Sequence, residues 1–272
     1  MKKKYIMRVT ALLIIIVGIT VITYKPEKAE SRNYDEPSTV FVHGYKGTYN
    51  SFGSMLDRFE KQNNWGNKAL IYRVSKNGNI RVLNLNKGKM DPVFIQVIFE
   101  NNQASYEDGA KWLSRVLSHM KQHYQINTVN IVGHSMGGLV AVKYFQEYQD
   151  STLFPITEKL VTIGSPFDGI YNQPYFRINH NPAATDLKPN SAALQLLQSP
   201  NQTVPDNLNV LSIGSTGDPI ARPKSVNALR MIIPPEQLKM VIINNDDLGH
   251  SELHESESVD QLINSFLWKN TN

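Results

Sequence analysis

The chain has no cysteine. Disulfides are therefore excluded, as is lipid attachment through an N-terminal cysteine, and cysteine usage carries no information about redox compartment. Metal-site patterns are missing as well: there is no His-Glu-x-x-His and no acidic calcium loop of the required spacing. Neither a Walker loop nor a Gly-x-Gly-x-x-Gly opening a helix occurs, so no cofactor is expected. No internal repeat or low-complexity tract appears. The chain also lacks a real charge excess, although its formal net charge is +4. Residues 1–28 hold six Lys/Arg (Lys2, Lys3, Lys4, Arg8, Lys25, Lys28) and one acid, Glu27. The rest then has 22 basic and 23 acidic residues (28 less 6, and 24 less 1). A nearly neutral body gives no reason to expect nucleic-acid binding.

What is present begins with an address. Four basic residues precede an apolar run from Val9 to Ile22, the order of an export signal. The run is short for a full span of about 20 residues. Glu27 occupies the −3 position of the only obvious cleavage site, after Ala29, where a small residue is wanted, which favours an uncleaved membrane anchor over a cleaved signal. Residues 1–36 are expected to be this segment and a polar linker, and residues 37–272 one large α/β domain, long enough to bury a substantial core.

Within the domain, short apolar runs recur at α/β spacing. Strands are expected at Thr39 to Val42, Ala69 to Val74, Ile80 to Leu85, Pro92 to Phe99, Thr128 to Val132, Leu160 to Ile163, Val210 to Ile213 and Met240 to Ile243. Asn77-Gly78 marks a hairpin between the second and third. Helices are expected at Phe52 to Lys61, Ser105 to Tyr124, Leu139 to Tyr148 and Val259 to Trp268. This alternation predicts a mostly parallel central sheet with helices on both faces, whose reactive residues lie at the carboxyl ends of strands. Between residues 169 and 209 the pattern breaks into Asn, Pro and Tyr, with one helix expected from Ser191 to Leu197. A connection this long reads as a cap over the active site.

The most informative stretch is Val129 to Val140. A β-branched strand ends at Gly133, Ser135 follows between glycines, and an apolar helix starts at once. That is the strand–turn–helix context of a nucleophile elbow. Its serine needs a histidine base oriented by a carboxylate, in the chain order Ser, acid, His. Three histidines follow Ser135: His180, His250 and His254. His250, after a strand and before the last helix, is the expected base, with His254 as the alternative. His134 is expected to turn away and pack. His119 and His123 read as solvent-facing, and His43 as structural. Asp218, on a glycine-rich turn after a strand, is the expected acid, with Asp168 as its competitor. Two backbone N–H groups must meet the developing oxyanion. Met136 supplies one, and Tyr45, in the loop His43-Gly44-Tyr45-Lys46-Gly47, the other. Tyr171, Tyr175 and Phe176 can line an acyl pocket or form the cap's own small core.

With these residues in hand, the chain resembles the α/β-hydrolase superfamily of lipases and esterases. It is most similar to a group of bacterial, often Gram-positive, exported or cell-surface serine hydrolases of unassigned natural substrate. The resemblance runs from Pro37 to the C-terminus. It rests on the His43-Gly44 loop, Gly133 to Gly137, Ser165-Pro166 with Gly169, Gly217-Asp218, and Leu248-Gly249-His250-Ser251 leading to His254-Glu255. One departure is Pro219-Ile220-Ala221 after Asp218, where many relatives carry a glycine and a short hydrophobic run. The resemblance implies Ser135, His250 and Asp218 as catalytic residues, Tyr45 and Met136 as oxyanion donors, and activity on short-chain carboxylic esters. The expected partners are a small-molecule ester and, through an uncleaved N-terminus, the membrane. A lipase, an amidase, a thioesterase and a non-catalytic binding module on the same scaffold are the alternatives.

Overall fold

The computed structural model describes residues 36–86, 92–148, 152–200 and 203–269. The chain divides into Met1–Arg32 and Asn33–Asn272. The expected signal or anchor lies outside the described residues. Among those residues no helix is long and apolar enough to cross a membrane.

Eight strands make one sheet: β1 (Ser38–Val42), β2 (Asn67–Val74), β3 (Ile80–Asn84), β4 (Val93–Phe99), β5 (Thr128–His134), β6 (Ile156–Ile163), β7 (Asn209–Ser215) and β8 (Leu238–Ile243). Their order is β3-β2-β4-β1-β5-β6-β7-β8. Only the β2–β3 pair is antiparallel. It turns through Ser75 to Asn79, where Gly78 takes a φ of +79°. The direction of travel reverses around β1, which lies between β4 and β5, and such a reversal opens a crevice at the carboxyl ends of the strands.

The inner strands are buried on both faces, so they read as largely apolar runs, interrupted by Gln96 in β4 and Asn130 in β5. Their side chains still alternate. Val40 and Val42 of β1 join one core, and Phe41 the other. The first core is roofed by the long helices α2 (Tyr106–Tyr124) and α3 (Met136–Tyr148). The second is closed by α1 (Gly53–Asp57) and, from the C-terminal region, α8 (Glu257–Leu267). There Phe41, Phe52, Phe59 and Phe94 meet edge to face, with ring centres 5.3 to 6.2 Å apart.

The expected single helix from Phe52 to Lys61 is three pieces. A 3-10 turn (Tyr49–Phe52) leads into α1, and a π turn (Arg58–Gln62) follows. The widened turn buries Phe59 while Arg58 faces Asp260 of α8, its Nε donating to Oδ2 at 2.5 Å. The 169–209 segment is more ordered than its composition suggests. It holds α4 (Gln173–Ile178), α5 (Pro182–Asp186) and α6 (Ala192–Leu197). Asn172, Asn181 and Ser191 each accept a hydrogen bond from the first turn they precede. The prolines that looked like breakers stand in the first turns of α4 and α5, where a missing N–H costs nothing. Ala183, Leu187, Leu194 and Leu197 are buried in the first core. A short helix α7 (Pro223–Asn227) follows β7.

Candidate active site

Ser135 joins β5 directly to α3 and takes a φ of +53°, a left-handed conformation that a side-chain-bearing residue seldom adopts. Such strain persists only where the surroundings impose it. Here they do. Its N–H donates to Ile163 O of β6 at 2.8 Å. Strand and helix converge so tightly that a Cβ on Gly133 would lie 2.6 Å from the Gly137 carbonyl carbon. The Ser135 hydroxyl thereby stands at the N-terminus of α3, the positive end of the helix.

Two loops bring the partners. His250 follows β8, and its Nε2 is 2.9 Å from Ser135 Oγ. Its Nδ1 is 2.7 Å from Oδ2 of Asp218, which follows β7. A carboxylate only accepts, so Nδ1 carries the proton and Nε2 offers its lone pair to the hydroxyl. Asp218 is 1% exposed. Its other oxygen, Oδ1, accepts from Ile220 N–H at 2.8 Å and Ala221 N–H at 2.9 Å. The Pro219-Ile220-Ala221 run thus closes a turn on the carboxylate and holds it still. Gly164, just past β6 at φ +54°, lies directly behind this pair: a Cβ there would be 3.1 Å from Asp218 Oδ2 and 3.4 Å from His250 Nδ1. An arrangement of this kind can draw the proton from a serine hydroxyl and stabilise the imidazolium that results.

The other candidates are placed elsewhere. The ring of His254 packs against those of His134 and Phe52. Asp168 accepts from the Tyr171 hydroxyl at 2.8 Å. His180 is exposed and donates to Arg177 O at 2.9 Å. His123 is exposed, but His119 is half buried, with Nδ1 3.1 Å from the Tyr72 hydroxyl. His134 packs as expected and does one thing more. Its Nε2–H donates to the carbonyl of His250 at 3.1 Å, tying the elbow to the backbone of the base. Burial, then the neighbouring imidazoles of His250 and His254, hold its pKa well below 6.5, so it remains a neutral donor.

The loop after β1 passes beside the serine. A Cβ on Gly44 would lie 2.7 Å from Ser135 Cβ and 3.3 Å from Met136 N. The Gly44 carbonyl accepts from His43 Nδ1–H at 2.8 Å and Gly47 N–H at 3.0 Å. His43 Nε2 in turn accepts from Phe99 N–H at 3.0 Å, which fixes its tautomer. Burial lowers its pKa, so His43 is structural. In a trans peptide the N–H points opposite to the C=O, and the Tyr45 N–H is therefore directed away from those two donors. The Tyr45 hydroxyl donates to Asn179 Oδ1 at 2.8 Å and accepts from Asn181 Nδ2 at 2.7 Å. Tyr175 stacks obliquely on Tyr45 and packs edge-on against Phe176, with ring centres 6.0 and 5.0 Å away. Tyr171 is not part of that group. Among the described residues no group of three or more His, Asp or Glu side chains is placed to hold a metal ion.

Comparison with known proteins accords with this fold. The model of a family described as alpha/beta hydrolase of unknown function (DUF915) matches residues 26–270. No curated protein matches the chain. Among solved structures, the lin2722 gene product of Listeria innocua is 26% identical with a TM-score of 0.70, over 88% of this chain and 96% of that one. A candidate cell surface hydrolase of Lactobacillus plantarum is 20% identical with a TM-score of 0.68, over 86% and 92%. A Bacillus licheniformis lipase, BlEst2 in its mature form, is 15% identical with a TM-score of 0.54, over 87% and 96%. The last two are alike in fold.

Proposed function

Because this chain belongs to the alpha/beta hydrolase family DUF915, we propose that it is a serine hydrolase that cleaves carboxylic esters, short-chain ones first, through an acyl-enzyme. The observation that carries this reading is the continuous hydrogen-bonded line from Ser135 Oγ through His250 to Asp218, 2.9 and 2.7 Å per link. Ser135 Oγ attacks the ester carbonyl as His250 Nε2 takes its proton. The carbonyl oxygen becomes an oxyanion and accepts from Tyr45 N–H and Met136 N–H. His250 then gives its proton to the leaving alkoxide, and the alcohol departs. Water, deprotonated by the same imidazole, attacks the acyl-enzyme; the Ser135 Oγ–acyl bond breaks, the imidazolium returns the proton to Oγ, and the acid is released. Asp218 keeps the imidazole in the tautomer this requires and balances its charge. The 169–209 segment acts as the cap, with Tyr175 beside Tyr45 on the acyl side. The likeness to a candidate cell surface hydrolase and the basic, apolar N-terminal segment support export to the cell surface.

The test is a series of p-nitrophenyl esters of graded acyl length. The wild type is expected to turn over acetate and butyrate, and Ser135→Ala to abolish this. Asp218→Asn is expected to lower kcat about 10⁴-fold. A fluorophosphonate should label native protein at Ser135 and leave denatured protein unlabelled. Turnover unaffected by Ser135→Ala would falsify the mechanism, and a folded wild type with neither turnover nor labelling favours a binding module.

A further inference from the structure

The loop that carries the Tyr45 N–H is held in an unfavourable shape. Lys46, next to the donor, sits at φ +55°, a left-handed conformation that lysine keeps only under external constraint. Part of the constraint is local: Lys46 N–H donates to Asn102 O at 2.8 Å, and Asn102 Nδ2 donates to Gly47 O at 2.8 Å. A further part comes from side chains more than 130 positions on. Asn179, between α4 and α5 and 4% exposed, accepts on one oxygen from both the Tyr45 hydroxyl at 2.8 Å and Lys46 Nζ at 2.7 Å. Its own Nδ2 donates to Tyr175 O at 2.8 Å, which fixes the amide's orientation. Asn181 reaches the same hydroxyl and also caps α5.

We propose that Asn179 is a positioning residue for the oxyanion donor: by holding the side chains of Tyr45 and Lys46 together from the 169–209 segment, it keeps the Tyr45 N–H aimed at the reacting carbonyl oxygen. The proposal rests on the reading of Ser135 as nucleophile and Tyr45 N–H as donor. It gives the segment a role in the chemical step, beyond shaping the acyl pocket. A donor displaced by a fraction of an ångström is weakened only where charge has developed, so its loss shows in kcat and leaves ground-state binding alone.

The experiment is steady-state hydrolysis of p-nitrophenyl butyrate by the full domain, with thermal unfolding recorded beside it. Asn179→Ala is expected to lower kcat about tenfold or more, with KM within about twofold. Asn179→Asp retains the accepting oxygen but cannot donate to the Tyr175 carbonyl, and is expected to fall between the wild type and Asn179→Ala. Tyr45→Phe, which keeps the N–H, should lower kcat in the same sense, and the effects of Tyr45→Phe and Asn179→Ala should combine to less than their sum in the pair. An unchanged kcat in Asn179→Ala overturns the proposal. So does a raised KM at constant kcat, which makes the segment a substrate wall. If Asn179→Ala does not fold, Tyr45→Phe decides alone, and full activity there is the contrary result. A wild type without Ser135-dependent turnover removes the hydrolase reading and this one with it.

Discussion

Both oxygens of Asp218 are occupied, one by the imidazole and the other by two backbone N–H groups, so the carboxylate has no free rotation to lose when His250 becomes charged. His134 plays the matching part for the base. Replacing it with Phe keeps a ring but takes this donor from the His250 carbonyl in a partly buried site, a cost of about 1 kcal/mol. His134→Phe is expected to lose that much in urea unfolding and to slow ester turnover about tenfold; equal stability and turnover would show the contact to be idle. At Gly164 a methyl group would press on the acid and the base at a φ that disfavours it. Gly164→Ala should therefore lower kcat more than it raises KM, which ester kinetics can read. Ser135, Asp218 and His250 were legible because each follows a recognisable strand and their chain order is fixed by the architecture. His134, Gly164 and Asn179 were not. Their importance lies in what they touch, and those partners are 54 and 86 positions distant for Gly164 and 116 and 134 for the other two.

Elements that carry no chemistry hold the base loop in place. The π turn presents Arg58 to Asp260 through two hydrogen bonds, to Glu255, and to the His254 carbonyl just beyond the base. With the Asp260 side chain 1% exposed, Arg58→Met leaves an uncompensated buried carboxylate and should destabilise the fold by about 3–5 kcal/mol. Arg58→Met/Asp260→Leu is expected to recover most of it in chemical denaturation; a double variant no better than the single one would mean that packing, not charge, governs the site. The strands could be read from their apolar runs, which burial on both sheet faces imposes, α2 from the period of its single apolar face, and α3, buried all round from Met136 to Phe145, from its apolar run. The π turn could not, because hydrophobic spacing does not register one extra residue in a turn. The Asn-x-Pro and Asn-Pro pairs before α4 and α5 did carry a signal, that of a cap followed by first-turn proline, which the surrounding polar composition masked.

Across the molecule, burial lowers the pKa of His43, His134 and His254 from 6.5. A depressed folded pKa means that the unfolded chain takes up protons first as pH falls, so stability present above pH 6.5 is lost on acidification. Asp186 and Asp260, raised by burial, act in the opposite sense, nearer the carboxylate range. The midpoint of urea unfolding is therefore expected to fall between about pH 7.5 and about pH 5.5, and a flat or rising midpoint would contradict it. The sheet order has a further consequence in time. Ser135 and His250 are 115 positions apart, and the strand that delivers the imidazole is the last of the eight and lies at the rim of the sheet. A ribosome releases the hydroxyl and the carboxylate well before the ring that must link them. On the proposed mechanism, a nascent chain has nothing to accept the serine's proton until β8 zips onto β7. Its reactivity would then arrive with the final strand, and a growing polypeptide would stay chemically silent up to that moment.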